Sequence, residues 1–423
     1  VVSHSIIPII LRANLRPLKD MSKSFYHFVV SCMKKFNIIP IFLLIVCSFL
    51  VGQKTRPRDM GLEIGLFRTG KWNAITDVAG VTVGHETIIE NDSVRTGVTV
   101  IIPHEGNLYQ EKVMAAVHVT NGYGKAVGFT QIEELGTIET PIGLTNTLNT
   151  FSVADDILGY MLAVPEHRGT VNPVVGETND GGLNDIAGRH VQNHHTLQAI
   201  QNAKSGPVVE GSVGAGTGTR ALGFKGGIGT ASRVLPNDVG GYTVGVLVQT
   251  NFGGSLMING APVGRELKVS PFASRIPYDE DEGSCMIVIA TDAPLSNRNL
   301  KRMAKRVDHA FGRVGAYSSN GSGDYAIIFS THPANRVTGG TGQIGGPNDL
   351  EVSRKDIRNR NMNGLFMATV EATEEAIINS LFMAETVSSK YGTMEALPVK
   401  ETMKILKKYK TLNWNKKLYP WKK

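Results

Sequence analysis

The chain has 423 residues, 41% of them apolar and 19% charged, so it can bury a large core and is too hydrophobic for a disordered polymer. Its net charge of +7 sits at the ends: residues 1–53 carry six Lys or Arg against Asp20, residues 400–423 carry nine Lys against Glu401, and the stretch between is acidic at −6. An acidic body between a basic leader and a lysine-rich tail excludes the continuous basic face of a nucleic-acid binder.

Residues 1–32 show no initiator methionine and no clear pattern, and read as a segment upstream of the true start. From Met33 onward, Lys34 and Lys35 precede the apolar run Ile38 to Leu50, with Gly52 and Gln53 after it. That is the layout of a secretory signal peptide over 33–53, and it predicts an exported, periplasmic product, with an uncleaved membrane anchor as the alternative. Cys32 and Cys47 fall in the leader, so a mature chain keeps only Cys285 and forms no internal disulfide; its apolar surroundings make Cys285 a core thiol. Residues 54–410 read as one catalytic domain and 411–423 as a lysine-rich tail.

Within the body, apolar runs predict strands over Val98–Ile102, Val113–Val119, Val171–Val175, Tyr242–Phe252, Cys285–Thr291 and Tyr325–Thr331. Helical spacing predicts helices over Ser152–Val164, Gly188–Ala203, Ser296–Val314 and Ala368–Ser388. Near-continuous apolar strands are covered on both faces, so the expected body is a layered α/β fold with helices outside.

The strand Tyr242–Phe252 runs into Gly253-Gly254-Ser255. Glycine tolerates unusual dihedrals and leaves its carbonyl unshielded, so such a step can hold a peptide with Ser Oγ against the preceding carbonyl carbon. An N-to-O acyl shift and hydrolysis between Gly254 and Ser255 would free a serine carrying both a nucleophilic hydroxyl and a weakly basic α-amine. Taken alone, Gly-Gly-Ser is an ordinary turn.

Other segments add weight. They are Ile138 to Thr147 (IETPIGLTNT), Val174 to Asp185 (VVGETNDGGLND), Glu210 to Thr219 (EGSVGAGTGT), Phe224 to Arg233 (FKGGIGTASR) and Ser319 to Tyr325 (SNGSGDY). In this order the chain resembles the L-aminopeptidase/D-esterase family, which includes the β-peptidyl aminopeptidases, over Gly61 to Tyr409. The resemblance implies an αββα sandwich like that of the N-terminal-nucleophile hydrolases, self-cleavage before the nucleophile, and homo-oligomers of processed two-chain units. It further implies small peptide or amino-acid amide substrates and no cofactor. It makes Ser255 the nucleophile, Glu139 a carboxylate for the substrate ammonium, and Ser212 an oxyanion donor where asparagine is expected. A turn carboxylate or ion pair is the competing reading for Glu139.

Asn251 and Asn146 are candidates to position the scissile carbonyl, or turn caps; Asp292 is a candidate to orient the nucleophile, or a cap. Asn179, Asp180, Asn184 and Asp185 read as loop-stabilising.

Three rivals remain. A nucleotide-binding enzyme is suggested by Gly214-Ala215-Gly216-Thr217-Gly218, but read from Gly214 the spacing fails the dinucleotide fingerprint, and read from Gly216 it fits only the variant ending in Ala221, with no convincing strand before it. A metal-dependent hydrolase would use His190 and His194, four apart on an expected helix, with His195 beside them, but it lacks an intervening glutamate and an evident third ligand. An exported, non-catalytic binding protein would keep the fold without processing.

Overall fold

The structure is a computed structural model that describes residues 54–164, 169–269, 283–338 and 351–413. The chain divides at Lys54 into an N-terminal unit and a body, Thr55–Lys423, and only the body is treated below. The expected upstream segment, the expected signal peptide and most of the lysine-rich stretch 411–423 lie outside the described residues.

Sixteen strands are described in the body. β1 (Thr82–Glu90), β2 (Val94–Ile102), β3 (Glu111–Gly122), β4 (Ala126–Val127), β5 (Thr137–Ile138), β6 (Ile142–Asn146) and β7 (Val174–Thr178) come first. β8 (Arg220–Ala221), β9 (Phe224–Lys225), β10 (Ile228–Val234), β11 (Thr243–Asn251), β12 (Gly283–Thr291), β13 (Ser322–Ser330), β14 (Val337–Thr338), β15 (Val387–Ser389) and β16 (Gly392–Met394) follow. The α-helices are α1 (Phe129–Leu135), α2 (Thr150–Leu162), α3 (Asn193–Gln201), α4 (Val263–Glu266), α5 (Asn297–Ala304), α6 (Val307–Val314), α7 (Asn363–Phe382) and α8 (Val399–Lys408).

One sheet has the order β1-β2-β6-β7-β4, the other β10-β11-β12-β13-β3-β14 with β5 also on β3. Pairing is antiparallel except for β6 with β7 and β12 with β13. Period-two alternation assigns each strand two buried faces. On β12, Met286, Val288 and Ala290 join Leu144 and Val174 between the sheets, while Cys285, Ile287 and Ile289 join Leu365, Ala372 and Ile377 under α7. A third cluster, with Val100, Ile157 and Ala199, lies under α2 and α3. Helices, sheet, sheet, helices: the order is αββα, as the resemblance implied. Cys285 is a buried free thiol, and burial pushes it well above its ordinary range.

Close layer packing uses glycine. A methyl group on Gly229 of β10 would stand 1.9 Å from the Ala376 carbonyl of α7, so that helix rides directly on the strand backbone. The N-terminal segment is tied across the same helix by buried charge. Arg233 reaches Glu371 (3.1 Å) and Glu375 (2.6 Å), and Arg58 Nε donates to Glu375 at 2.7 Å. Burial works to raise the Glu375 carboxyl, yet Arg233 and Arg58 hold it at about 2.

Candidate active site

The strand registers bring one set of polar residues to a single end of the sandwich. Asn251, the last residue of β11, pairs with Ser284, the second of β12; Gly283 pairs with Ser322 and Cys285 with Asp324 on β13. On the facing sheet, Asn146 and Thr178 end β6 and β7 side by side. Gln249 closes the two sheets at this end, its Nε2 donating to the Thr145 carbonyl (3.0 Å), Thr178 Oγ1 (2.8 Å) and the Ala215 carbonyl (2.9 Å).

Ser284 lies at the centre of this set. By alternation it shares the inter-sheet face with Met286, and Asn251 shares that face with Leu247. The Asn179 N–H donates to Ser284 Oγ at 3.4 Å. Asn251 Oδ1 accepts from the Arg220 N–H at 3.0 Å, which fixes the amide plane and leaves Nδ2 as the opposite, donating end. Ser322 Oγ donates to Asp324 Oδ1 at 2.8 Å, and a methyl group on Gly283 would lie 3.0 Å from Ser322 Oγ. The hydroxyl–carboxylate pair therefore stands beside the Gly283–Ser284 step. Burial raises Asp324 above the usual carboxylate range, against its hydrogen bonds from Ser322 and Ser318. Glu177, buried on β7, accepts from the Lys125 N–H at 2.9 Å and from Thr147 Oγ1.

Several residues expected from the sequence stand elsewhere. Ser255 follows β11 on its helix-facing side: its N–H donates to the Gly315 carbonyl (3.0 Å), and Phe252 and Leu256 on either side belong to the core under α7. The glycine before it is explained by packing, because Gly254 adopts φ 138° and a methyl group there would stand 2.4 Å from the Gly315 carbonyl. Asp292 follows the far end of β12, accepting from the Thr243 N–H at 2.8 Å, about 25 Å of strand from Ser284. It caps the strand end rather than orienting the nucleophile.

Glu139 precedes β6 at that same far end, 3.3 Å from Lys112 Nζ and accepting from Gln131 and the Asn172 N–H, so the ion-pair reading applies to it. The hydroxyl of Ser212 exchanges hydrogen bonds with the backbone of Glu385. Asn146 and Asn251 do reach the site; Asn146 also caps the chain after β6 through Leu148 N–H and Asn149 N–H. His190 precedes α3 instead of sharing a helix face with His194, and it bonds Asp185. No group of three potential metal ligands occurs among the described residues.

Glu177, Ser284, Ser322 and Asp324 were not singled out from the sequence. The available signal was another Gly-Ser step, Gly283-Ser284, opening a buried strand, with Ser-x-Asp at the start of the next.

An αββα body whose central strand opens on a serine among a buried asparagine, a hydroxyl–carboxylate pair and backbone donors is that of a peptide hydrolase of the N-terminal-nucleophile type. The chain belongs to peptidase family S58, whose model matches residues 73–395. It is 42% identical over 378 residues to the beta-peptidyl aminopeptidase BapA of Sphingosinicella microcystinivorans, covering 84% of this chain and 93% of that one. Among solved structures it is similar to a beta-aminopeptidase of Burkholderia sp. (TM-score 0.77, 41% identity, covering 84% of this chain and 99% of that one). It is also similar to the L-aminopeptidase D-Ala-esterase/amidase of Ochrobactrum anthropi, described as a prototype for the serine aminopeptidases and a variant of the Ntn hydrolase fold (TM-score 0.76, 36% identity, covering 85% and 100%). The chain is an aminopeptidase of this family.

Proposed function

We propose that the chain cuts itself between Gly283 and Ser284, and that Ser284, as the new N-terminus, attacks small peptides, amides or esters bearing a free amine. The observation that carries this reading is the convergence on Ser284 of Asn251 across the ladder, the Asn179 N–H on its Oγ, and Ser322 beside the preceding glycine.

In the uncut chain, Ser284 Oγ attacks the Gly283 carbonyl carbon and its proton passes to the Ser284 nitrogen as the C–N bond breaks, which frees the α-amine; water then hydrolyses the resulting ester, releasing the Gly283 carboxylate and the Ser284 hydroxyl. In turnover, that amine takes the hydroxyl proton as Oγ bonds to the substrate carbonyl carbon. Asn251 Nδ2 donates to the developing oxyanion, and the proton passes to the leaving amine as its bond to carbon breaks. Water then attacks the ester on Ser284 by the reverse proton path. Ser322, held by Asp324, orients the α-amine. Glu177 receives the substrate ammonium, which restricts attack to chain ends. Kinship with β-peptidyl aminopeptidases supports β-aminoacyl as well as L-aminoacyl substrates.

The test is intact-mass analysis of wild type, Ser284→Ala and Ser255→Ala. A wild-type second chain beginning at Ser284, an uncut Ser284→Ala and a cut Ser255→Ala are expected; a chain beginning at Ser255 would overturn the assignment.

A further inference from the structure

Asp180, read from the sequence as loop-stabilising, takes no part in the steps above, yet it is 1% exposed and sits one residue from Asn179 and three from Glu177. Both carboxylate oxygens accept from neutral donors: Thr96 Oγ1 at 2.6 Å on Oδ2 and Asn184 Nδ2 at 3.0 Å on Oδ1. Its own carbonyl accepts from the N–H groups of Leu183 and Asn184, both at 3.0 Å. Thr96 Oγ1 in turn accepts from Asn146 Nδ2 at 2.8 Å, so the Thr96 proton is committed to Asp180.

The glycine loop runs past the other side. A methyl group on Gly218 would come within 2.9 Å of Asp180 Cβ, and the fully buried Lys225 donates to the carbonyls of Gly216 (2.8 Å) and Gly226 (2.7 Å). Burial lowers Lys225 to about 7 against the through-space attraction of Asp180, and burial raises Asp180 to about 7 against its hydrogen bonds from Thr96 and Asn184. A charge held this deep without a direct cation is costly to keep, and an asparagine could present an oxygen to only one of the two donors.

We propose that Asp180 is a positioning residue for the reaction: its carboxylate fixes the loop 177–184 so that the Asn179 N–H stays on Ser284 Oγ and the Glu177 carboxylate stays at the substrate amine. The role rests on Ser284 being the nucleophile. One anchor thus sets both turnover, through Asn179, and binding, through Glu177.

The experiment is steady-state kinetics per titrated active site on processed wild type, Asp180→Asn and Thr96→Val, with melting temperatures in parallel. Expected for Asp180→Asn is a fall in kcat together with a rise in KM, at least tenfold combined, and for Thr96→Val a three- to tenfold change in the same directions. A purely structural residue would lower the melting temperature and the titrated fraction but leave kcat and KM per site within twofold, and that result overturns the proposal. If Asp180→Asn does not fold, Thr96→Val alone decides by the same criterion. A wild-type second chain that does not begin at Ser284 defeats the nucleophile assignment instead, so the two failures are told apart by mass.

Discussion

Asn251 and Ser284 are direct partners across the β11–β12 ladder, with side chains on the same face. Directly opposed Cβ atoms lie about 5 Å apart, within reach for an amide to serve an oxyanion forming on Ser284. Asn251→Ala should therefore lower kcat by about 10²–10³ with little change in KM, measured on the processed enzyme. Equal losses in folding and activity would assign Asn251 to holding the Arg220 turn alone.

Ser322 and Asp324 flank the amine side of Ser284. Ser322→Ala and Asp324→Asn should each slow both processing and turnover, by roughly 10²–10⁴ in kcat, the usual worth of positioned proton transfer. The double variant should be little worse than either single one, because the two act as a unit. Additive losses would separate their roles.

Glu177 gives a prediction about binding. Glu177→Gln should raise KM roughly 10- to 100-fold for substrates with a free amine, the scale of a charged hydrogen bond of about 1.5–3 kcal/mol, while kcat falls less. A larger effect on kcat than on KM would remove the ammonium role.

The buried acids predict opposite pH limbs. Glu375 is held at about 2, below its unfolded value, so its stabilisation is present above the ordinary carboxylate range and is lost as pH falls through 2. Burial, outweighing Arg56 at 2.5 Å, pushes Glu210 up to about 7, so the folded state binds the extra proton and stability declines as pH rises from about 4.5 to 7. Melting curves across pH 4 to 8 should show that decline flattened in Glu210→Gln. An unchanged slope would show that Glu210 is not its source.

Where the sequence reading succeeded and failed follows from what apolar patterning detects. It locates β12 and β13 from Cys285 and Tyr325, the first apolar residues, but the strands begin at Gly283 and Ser322. The residues trimmed away are the small and polar ones that carry the site. Asp292 and Asp324 look alike in one dimension, each a carboxylate at a strand end; only the parallel register of β12 with β13 tells which end meets Ser284. Glu139 and Glu177 flank the same two strands, and direction again decides. The expected helix Ser296–Val314 is two, α5 and α6, because the break at Lys305 and Arg306 leaves the apolar spacing intact. The glycine-rich loops are recognisable as a set, which is why the family is legible in the sequence.

The sheet order carries a last consequence. β12 and β13 lie after the proposed cut, yet they are inserted between β11 and β3, which lie before it. Severing the chain at Ser284 would leave the pair β12–β13 hydrogen-bonded on both sides to strands of the other polypeptide, with β14 also on β3, so that the two products share one sheet. The pieces should copurify through any native separation and come apart only when the whole body unfolds, so loss of either one is loss of both.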